Sequence, residues 1–158
     1  MADQRPIVVA LGADHGGYEL KRRVTRALRR WHCRVQDLGT HRPAPCDYPR
    51  YAERVARAVA RGRAQRGILI CKSGAGMVIA ANKVPGVRAA AAATIGAAML
   101  IRQHNDTNVL VLGAVGMPWS RAERIVKTWL TTPFEGGRHA RRVRQITRIE
   151  RTTSRLRS

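Results

Sequence analysis

Aromatic side chains make up only 4% of the 158 residues, and no basic stretch is interleaved with rings on which bases could stack. Acidic residues are scarce too: 10 Asp and Glu stand against 30 Lys and Arg, a formal net charge of +20 at pH 7. Such a balance invites a nucleic-acid reading, because clustered cations displace counterions from phosphate backbones. Without stacking rings, the arginines read as a solvated surface with incidental polyanion affinity, and specific nucleic-acid binding is not expected. The three cysteines, Cys33, Cys46 and Cys71, are widely spaced and odd in number, and no CxxC or Cys/His pair has zinc spacing. A disulfide framework and a structural zinc site are therefore disfavoured. MADQRP carries no export-type apolar stretch, and the longest uncharged apolar run, residues 89–101, is too short to span a bilayer. The expectation is a cytoplasmic protein with free thiols.

What is present is regular alternation. With 44% hydrophobic residues, a chain of this length fits one compact domain with a real core. IVVALGAD reads as a buried strand, and YELKRRVTRALRRW as a helix with Leu20, Val24 and Leu28 inward. CRVQDLG is a second strand, and HRPAPCDYP, with three prolines, a turn-rich loop. PRYAERVARAVARG starts a helix at Pro49 and repeats Tyr51, Val55 and Val59 at a spacing of four. RGILIC is a third strand, followed by a short helix over residues 77–84 closed by Pro85 and Gly86. VRAAAAA reads as a weak fourth strand, TIGAAMLIRQH as a helix, and NVLVLGA as a fifth strand. SRAERIVKTWL sets Ser120 and Glu123 at capping-box spacing, with Ala122, Ile125, Val126 and Trp129 on one face. From Gly136 a charged helix frays into a basic tail.

Five short apolar strands separated by helices imply a three-layer α/β/α, Rossmann-like domain with a five-stranded parallel sheet. It is expected to span residues 1–150, with a basic tail at 151–158. Ligands of such sheets bind outside the carboxyl ends of the strands. Asp14 and His15, in GADHGG, and Cys71, in ILICKSGAGM, fall at such ends.

The loop after Cys71 has the small residues Gly74, Ala75 and Gly76, then Met77, which lets backbone N–H groups approach a phosphate or a developing oxyanion. It lacks the third glycine of a dinucleotide fingerprint, and Lys72 and Ser73 precede its glycines, so nucleotide binding is disfavoured. Cys71 itself reads either as core filling or as a thiolate base or nucleophile favoured by nearby donors and a lysine. His104, in RQHNDTN, lies where a helix ends and the fifth strand begins. It suits capping or packing as well as acid–base work, and Asn105 and Asp106 equally suit a turn. Arg138 and Arg142, four apart in GGRHARRV, share a helical face that could clamp a phosphate or simply be solvated. The residues alone point to a small phosphorylated ligand, acid–base chemistry and no metal.

In order and spacing, GADHGGYELK, DLGT, DYPRYAERVA, GILIC-x-SGAGM-x-IAANKVPGVRA, RQHNDTNVLVLGA and KTWL-x-TPFEGGRHARRV resemble the type B ribose-5-phosphate isomerases. That family also includes galactose- and allose-6-phosphate isomerases, and the resemblance covers residues 7–148. It implies a homodimer with shared active sites, alone or paired into a tetramer, interconverting ribose 5-phosphate and ribulose 5-phosphate in the pentose phosphate pathway without metal or cofactor. By the resemblance, Cys71 is the base that moves a proton between C2 and C1 through a cis-enediolate, with Ser73 beside it. Gly74, Ala75, Gly76 and Met77 match the anion hole, and His104 the ring opener, with Asn105 adjacent. Asp14, His15 and Tyr48 match sugar- and phosphate-contacting positions, and Arg138 and Arg142 phosphate ligands donated by the neighbouring subunit. Alternatives are the same chemistry on another tetrose, pentose or hexose phosphate, or a non-catalytic sugar-phosphate or polyanion-binding relative.

Three departures stand out. Lys72 replaces a common glycine after the base, Val115 stands where many members carry a phosphate-holding arginine, and residues 89–98 are bland, with Ala93, Thr94 and Gly96. Lys72 is expected to supply the charge missing at Val115.

Overall fold

The computed structural model describes residues 6–155. The first five residues, expected to carry no export signal, and residues 156–158 of the expected tail lie outside the described residues. Strand and helix alternate as β1 (Val8–Ala13), a 3-10 turn (His15–Gly17), α1 (Tyr18–Arg30), β2 (Arg34–Asp37), α2 (Tyr48–Ala60), β3 (Arg66–Cys71) and α3 (Ala75–Ala81). They continue as β4 (Ala89–Ala91), α4 (Ile95–Gln103), β5 (Val109–Gly113), α5 (Trp119–Thr131) and α6 (Gly137–Arg155). The strands form one parallel sheet in the order β2-β1-β3-β5-β4. This is the expected three-layer α/β/α domain. Among the described residues no helix is long and apolar enough to cross a membrane.

Strand parity decides which residue meets which layer. Ile68 and Ile70 pack with Leu11, Leu110 and Leu112 under the apolar faces of α1, α4 and α5. Leu69 and Cys71 point the other way, among Val55, Met77, Val109 and Val111 beneath α2 and α3. The four α5 residues expected on one face are all buried, and the Trp129 indole N–H donates to Thr107 Oγ1 at 2.9 Å. That bond satisfies the one polar atom of a fully buried ring.

Two local readings change. Ser120 is not a cap: α5 begins at Trp119 with Pro118 as its N-cap, whose fixed φ of −63° already sets the entry to the helix. Glu123 is drawn off to Arg30 of α1 at 2.6 Å, which leaves nothing to close a capping box. The short helix α3 starts two residues before Met77 and ends at Ala81, because the turn at Gly74 brings the chain into helical geometry early. α6 runs unbroken through residue 150 to Arg155, packs little against the other helices and strands, meets the loops through His139 on His104 and Glu150 on the Gly86 N–H, and leaves Ile146 and Ile149 exposed.

The end of β1 is set by a close approach. A Cβ on Gly17 would lie 2.4 Å from the Ile70 carbonyl oxygen, a rigid backbone atom of the central strand. We predict that Gly17→Ala lowers the unfolding free energy by about 1–3 kcal/mol, the usual cost of overpacking. Gly62→Ala, where an added Cβ meets nothing within 4 Å, should cost only the roughly 1 kcal/mol of a left-handed residue. Urea denaturation of the two variants checks the order.

Candidate active site

Cys71 ends β3 nearly buried, and its Sγ accepts the N–H of Gly74 at 3.1 Å. The loop can fold back onto its own thiol because Gly74 sits at φ +85°, a conformation that side-chain-bearing residues resist. The loop is also seated on β5: Ala114 N–H donates to Cys71 O at 2.8 Å, and Val115 N–H to Lys72 O at 3.1 Å. Ser73 Oγ accepts the N–H of Ala75 at 3.3 Å. The N–H groups of Gly76 and Met77, in the first turn of α3, meet no acceptor among the described residues, as first-turn donors of a helix do. Thiol and free donors therefore share one loop. By contrast, burial pushes the Cys33 thiol up, with Lys127 opposing, so that cysteine is held in its unreactive form.

Other expected residues reach the same edge. Asp14 is buried and caps the 3-10 turn, its Oδ1 accepting the N–H of Gly17 at 3.1 Å. His15 accepts the N–H of Cys46 through Nδ1 at 3.2 Å, which ties the proline-rich loop to the end of β1. An imidazole accepting at Nδ1 keeps Nε2 as its donor when neutral. The stem of Lys72 lies over Gly16, and the ring of Tyr48 over Gly76, where an added Cβ would come within 2.5 Å of ring carbon. Asp14, His15, Tyr48 and residues 71–77 thus form one constellation. Lys72, Val115 and Arg121 line a neighbouring cavity of about 450 Å³ walled by Ala91, Ala92 and Ala93.

His104, Asn105, Arg138 and Arg142 are not part of that constellation. His104 caps the end of α4, five residues before β5 begins, whereas Cys71 pairs with Gly113, where β5 finishes. Four residue-to-residue steps of strand carry the chain from Val109 to Gly113, about 13 Å at the usual rise, so these groups occupy the opposite edge of the sheet. There the loop is held by its own polar residues. Asp106, at φ +47°, accepts from Arg102 Nη1 at 2.7 Å and Arg88 Nη2 at 3.0 Å. Arg102 is itself buried and also donates to Thr107 O at 2.7 Å.

The sequence reading passed over His139. Its ring stacks on His104 with centroids 4.1 Å apart and planes within 6°. Glu135 Oε2 and Arg138 Nε each lie 3.5 Å from His139 Nε2. A guanidinium only donates, so the first contact requires a protonated Nε2 and the second a bare one. Desolvation, reinforced by His104, Arg138 and Arg142 and opposed by Glu135, holds His139 below the ordinary histidine value, which favours the neutral ring, and the Arg138 contact fits the tautomer with its proton on Nδ1. The ligand atoms of His104, Glu135 and His139 lie within 4.8 Å of one another. Parallel rings nevertheless aim their in-plane lone pairs side by side, not at one point, so the cluster suits a stack better than a metal.

A thiol at the end of a central parallel strand, beside open N–H donors and cations, makes this an α/β protein with a candidate small-anion site at its strand ends. The profile of the Ribose/Galactose Isomerase family matches residues 9–146. Ribose-5-phosphate isomerase B of Escherichia coli (strain K12) is 46% identical over 142 residues, covering 90% of this chain and 95% of that protein. The ribose-5-phosphate isomerase B structure from Clostridium thermocellum aligns with a TM-score of 0.92 at 46% identity, over 93% of this chain and 99% of that one. That of Mycoplasma genitalium, with bound ribulose 5-phosphate, aligns with a TM-score of 0.88 at 39% identity, over 92% and 97%. The chain belongs to the ribose/galactose isomerase family.

The Asp106 contacts make a prediction about the far edge. Asp106→Ala strands the buried Arg102 guanidinium and puts alanine at positive φ, so it should cost about 2 kcal/mol or more. Asp106→Asn, tolerant of that conformation, should cost less. Chemical denaturation curves decide between them.

Proposed function

We propose that the protein interconverts ribose 5-phosphate and ribulose 5-phosphate, with Cys71 as the base. The observation that carries this reading is the Cys71 thiol folded against Gly74 N–H beside the open donors of Gly76 and Met77. The Cys71 thiolate takes the proton from C2 of the open-chain aldose. The C–H electron pair becomes the C1–C2 double bond, and the carbonyl pair moves onto O1. The loop N–H groups stabilise that charge as it forms, which a free thiolate in water could not rely on. The O2 proton passes to O1, the thiol returns its proton to C1, and O2 becomes the ketone. The steps balance without an oxidant or a redox cofactor. Ser73 flanks the base, and Asp14, His15 and Tyr48 hold the sugar and its phosphate.

Ribose 5-phosphate is mostly a furanose, so the ring must open first. We assign that step to His104, which protonates the ring oxygen as the C1–O4 bond breaks, while the anomeric hydroxyl gives up its proton to water and C1=O1 forms, with Asn105 beside it and Arg138 and Arg142 on the phosphate. Since one chain keeps these four at the far edge of its sheet, a substrate at Cys71 meets those of a second copy. The sparse packing of α6 against the other helices and strands of its own chain and the exposure of Ile146 and Ile149 support a homodimer in which this helix reaches the partner. We read residues 1–150 as the catalytic domain and the protein as cytoplasmic. Lys72, which shares a cavity with Val115 and Arg121, is read as a source of positive charge for the substrate phosphate.

NMR of the protein with ribose 5-phosphate in D2O tests the reaction. Ribulose 5-phosphate should form with deuterium beside the carbonyl, and Cys71→Ala should lose roughly 10²–10⁴-fold in rate, the usual contribution of an acid–base group. Turnover that survives Cys71→Ala would remove the thiol from the mechanism. Lys72→Ala should raise KM several-fold at little cost to kcat, as loss of a uniform binding contact does. An unchanged KM contradicts its role.

A further inference from the structure

The His104 ring is backed by a device that the reaction scheme leaves unused. Glu135 N–H is pinned to Gln103 O at 3.1 Å, just before His104. Gly136 and Gly137 then take consecutive left-handed conformations, φ +70° and +51°, which reverse the chain into α6. The His139 N–H donates to Gly136 O at 3.0 Å, and two residues after the turn the imidazole is laid flat on His104. Two successive positive φ angles are routine only for glycine. The EGGRH stretch is thus shaped to deliver His139 to this place, where it is 5% exposed.

We propose that His139 is a positioning residue: its ring face fixes the plane of His104, while its Nε2 holds the Arg138 guanidinium. This rests on the reading of His104 as ring opener and Arg138 as phosphate ligand. One side chain would then set the spacing between the group that opens the sugar and the group that grips its phosphate. A leucine could fill the same space but could not accept from Arg138. An uncharged His139 also suits a neighbour that gains and loses a proton, since an aromatic face attracts a cation whereas a second imidazolium at 4.1 Å would repel it. The lowered basicity of His139 agrees with that state.

The test separates ring opening from proton transfer. Ribulose 5-phosphate is open-chain, since its 5-hydroxyl is esterified, so deuterium can enter its C1 through Cys71 alone, whereas furanose formation needs His104. Wild type, His139→Ala and His139→Phe are compared in D2O for C1 exchange and for ribose 5-phosphate production. His139→Ala should raise the ratio of exchange to conversion about tenfold or more, a fraction of what a well-placed acid–base group contributes. His139→Phe, which keeps the flat face, should restore the ratio but raise KM, because Arg138 loses its acceptor. Equal loss of exchange and conversion, or wild-type values for ratio and KM in both variants, overturns the proposal. A wild type that neither exchanges nor converts would instead defeat the isomerase reading, and the proposal with it. Thermal unfolding of each variant confirms that folded protein is compared, and the phenylalanine variant carries the test if the alanine variant unfolds.

Discussion

Parallel pairing of β3 with β1 on one side and β5 on the other sets the position of every group discussed above. Three strands buried on both faces form a rigid centre, and their common direction gives the sheet two chemically different edges. Whatever follows a strand lies at one edge, and whatever precedes a strand lies at the other. Cys71 ends a strand and Asp14 and His15 follow one; His104 and Asn105 precede one. Close backbone approaches lock the first edge in place: Gly17 lies against Ile70, and Gly113 against Ser73. The thiol is therefore delivered by the most constrained part of the molecule, while His104, the proposed ring opener, lies beside a loop held by Arg102, Asp106 and Arg88.

Much of the basicity of this chain lies on exposed helix faces. Arginine on α1 and α2 is largely exposed, some of it in surface ion pairs with Glu19 and Glu53 of the kind that contribute little. Under the proposed function the cations that bear on the chemistry are Lys72, which shares its cavity with Arg121, and Arg138 and Arg142 on α6. Lys72 lines a cavity beside the donor loop together with Val115 and Arg121. The run of alanines at 91–93 leaves open space next to it.

Much of this was legible in the sequence. Strand parity in RGILIC places Cys71 with Leu69 on the α2/α3 face, and the sequence order of strands and helices yields the layers. Local capping was less legible: Ser120 has the right spacing, but Pro118 had already started the helix and Arg30, remote in sequence, claimed Glu123. His139 was missed because it sits between two arginines that drew the chemical reading, and ring stacking depends on a double-glycine reversal whose φ angles no residue pattern states. The split between two edges was readable in principle from which residues follow strands and which precede them. It becomes unavoidable only when β5 is seen to run the full distance between His104 and the level of Cys71.

The central claim is that a working site joins the strand-end edge of one copy to the opposite edge of another. Subunit exchange between a Cys71→Ala protein and a His104→Ala protein, each inactive alone, tests it most directly. Random pairing makes half the dimers mixed, each with one site intact and one doubly impaired, so activity should return to about one quarter of wild type. Mixed dimers verified by mass that remain inactive would mean that Cys71 and His104 serve the same site from one chain, and would contradict the account.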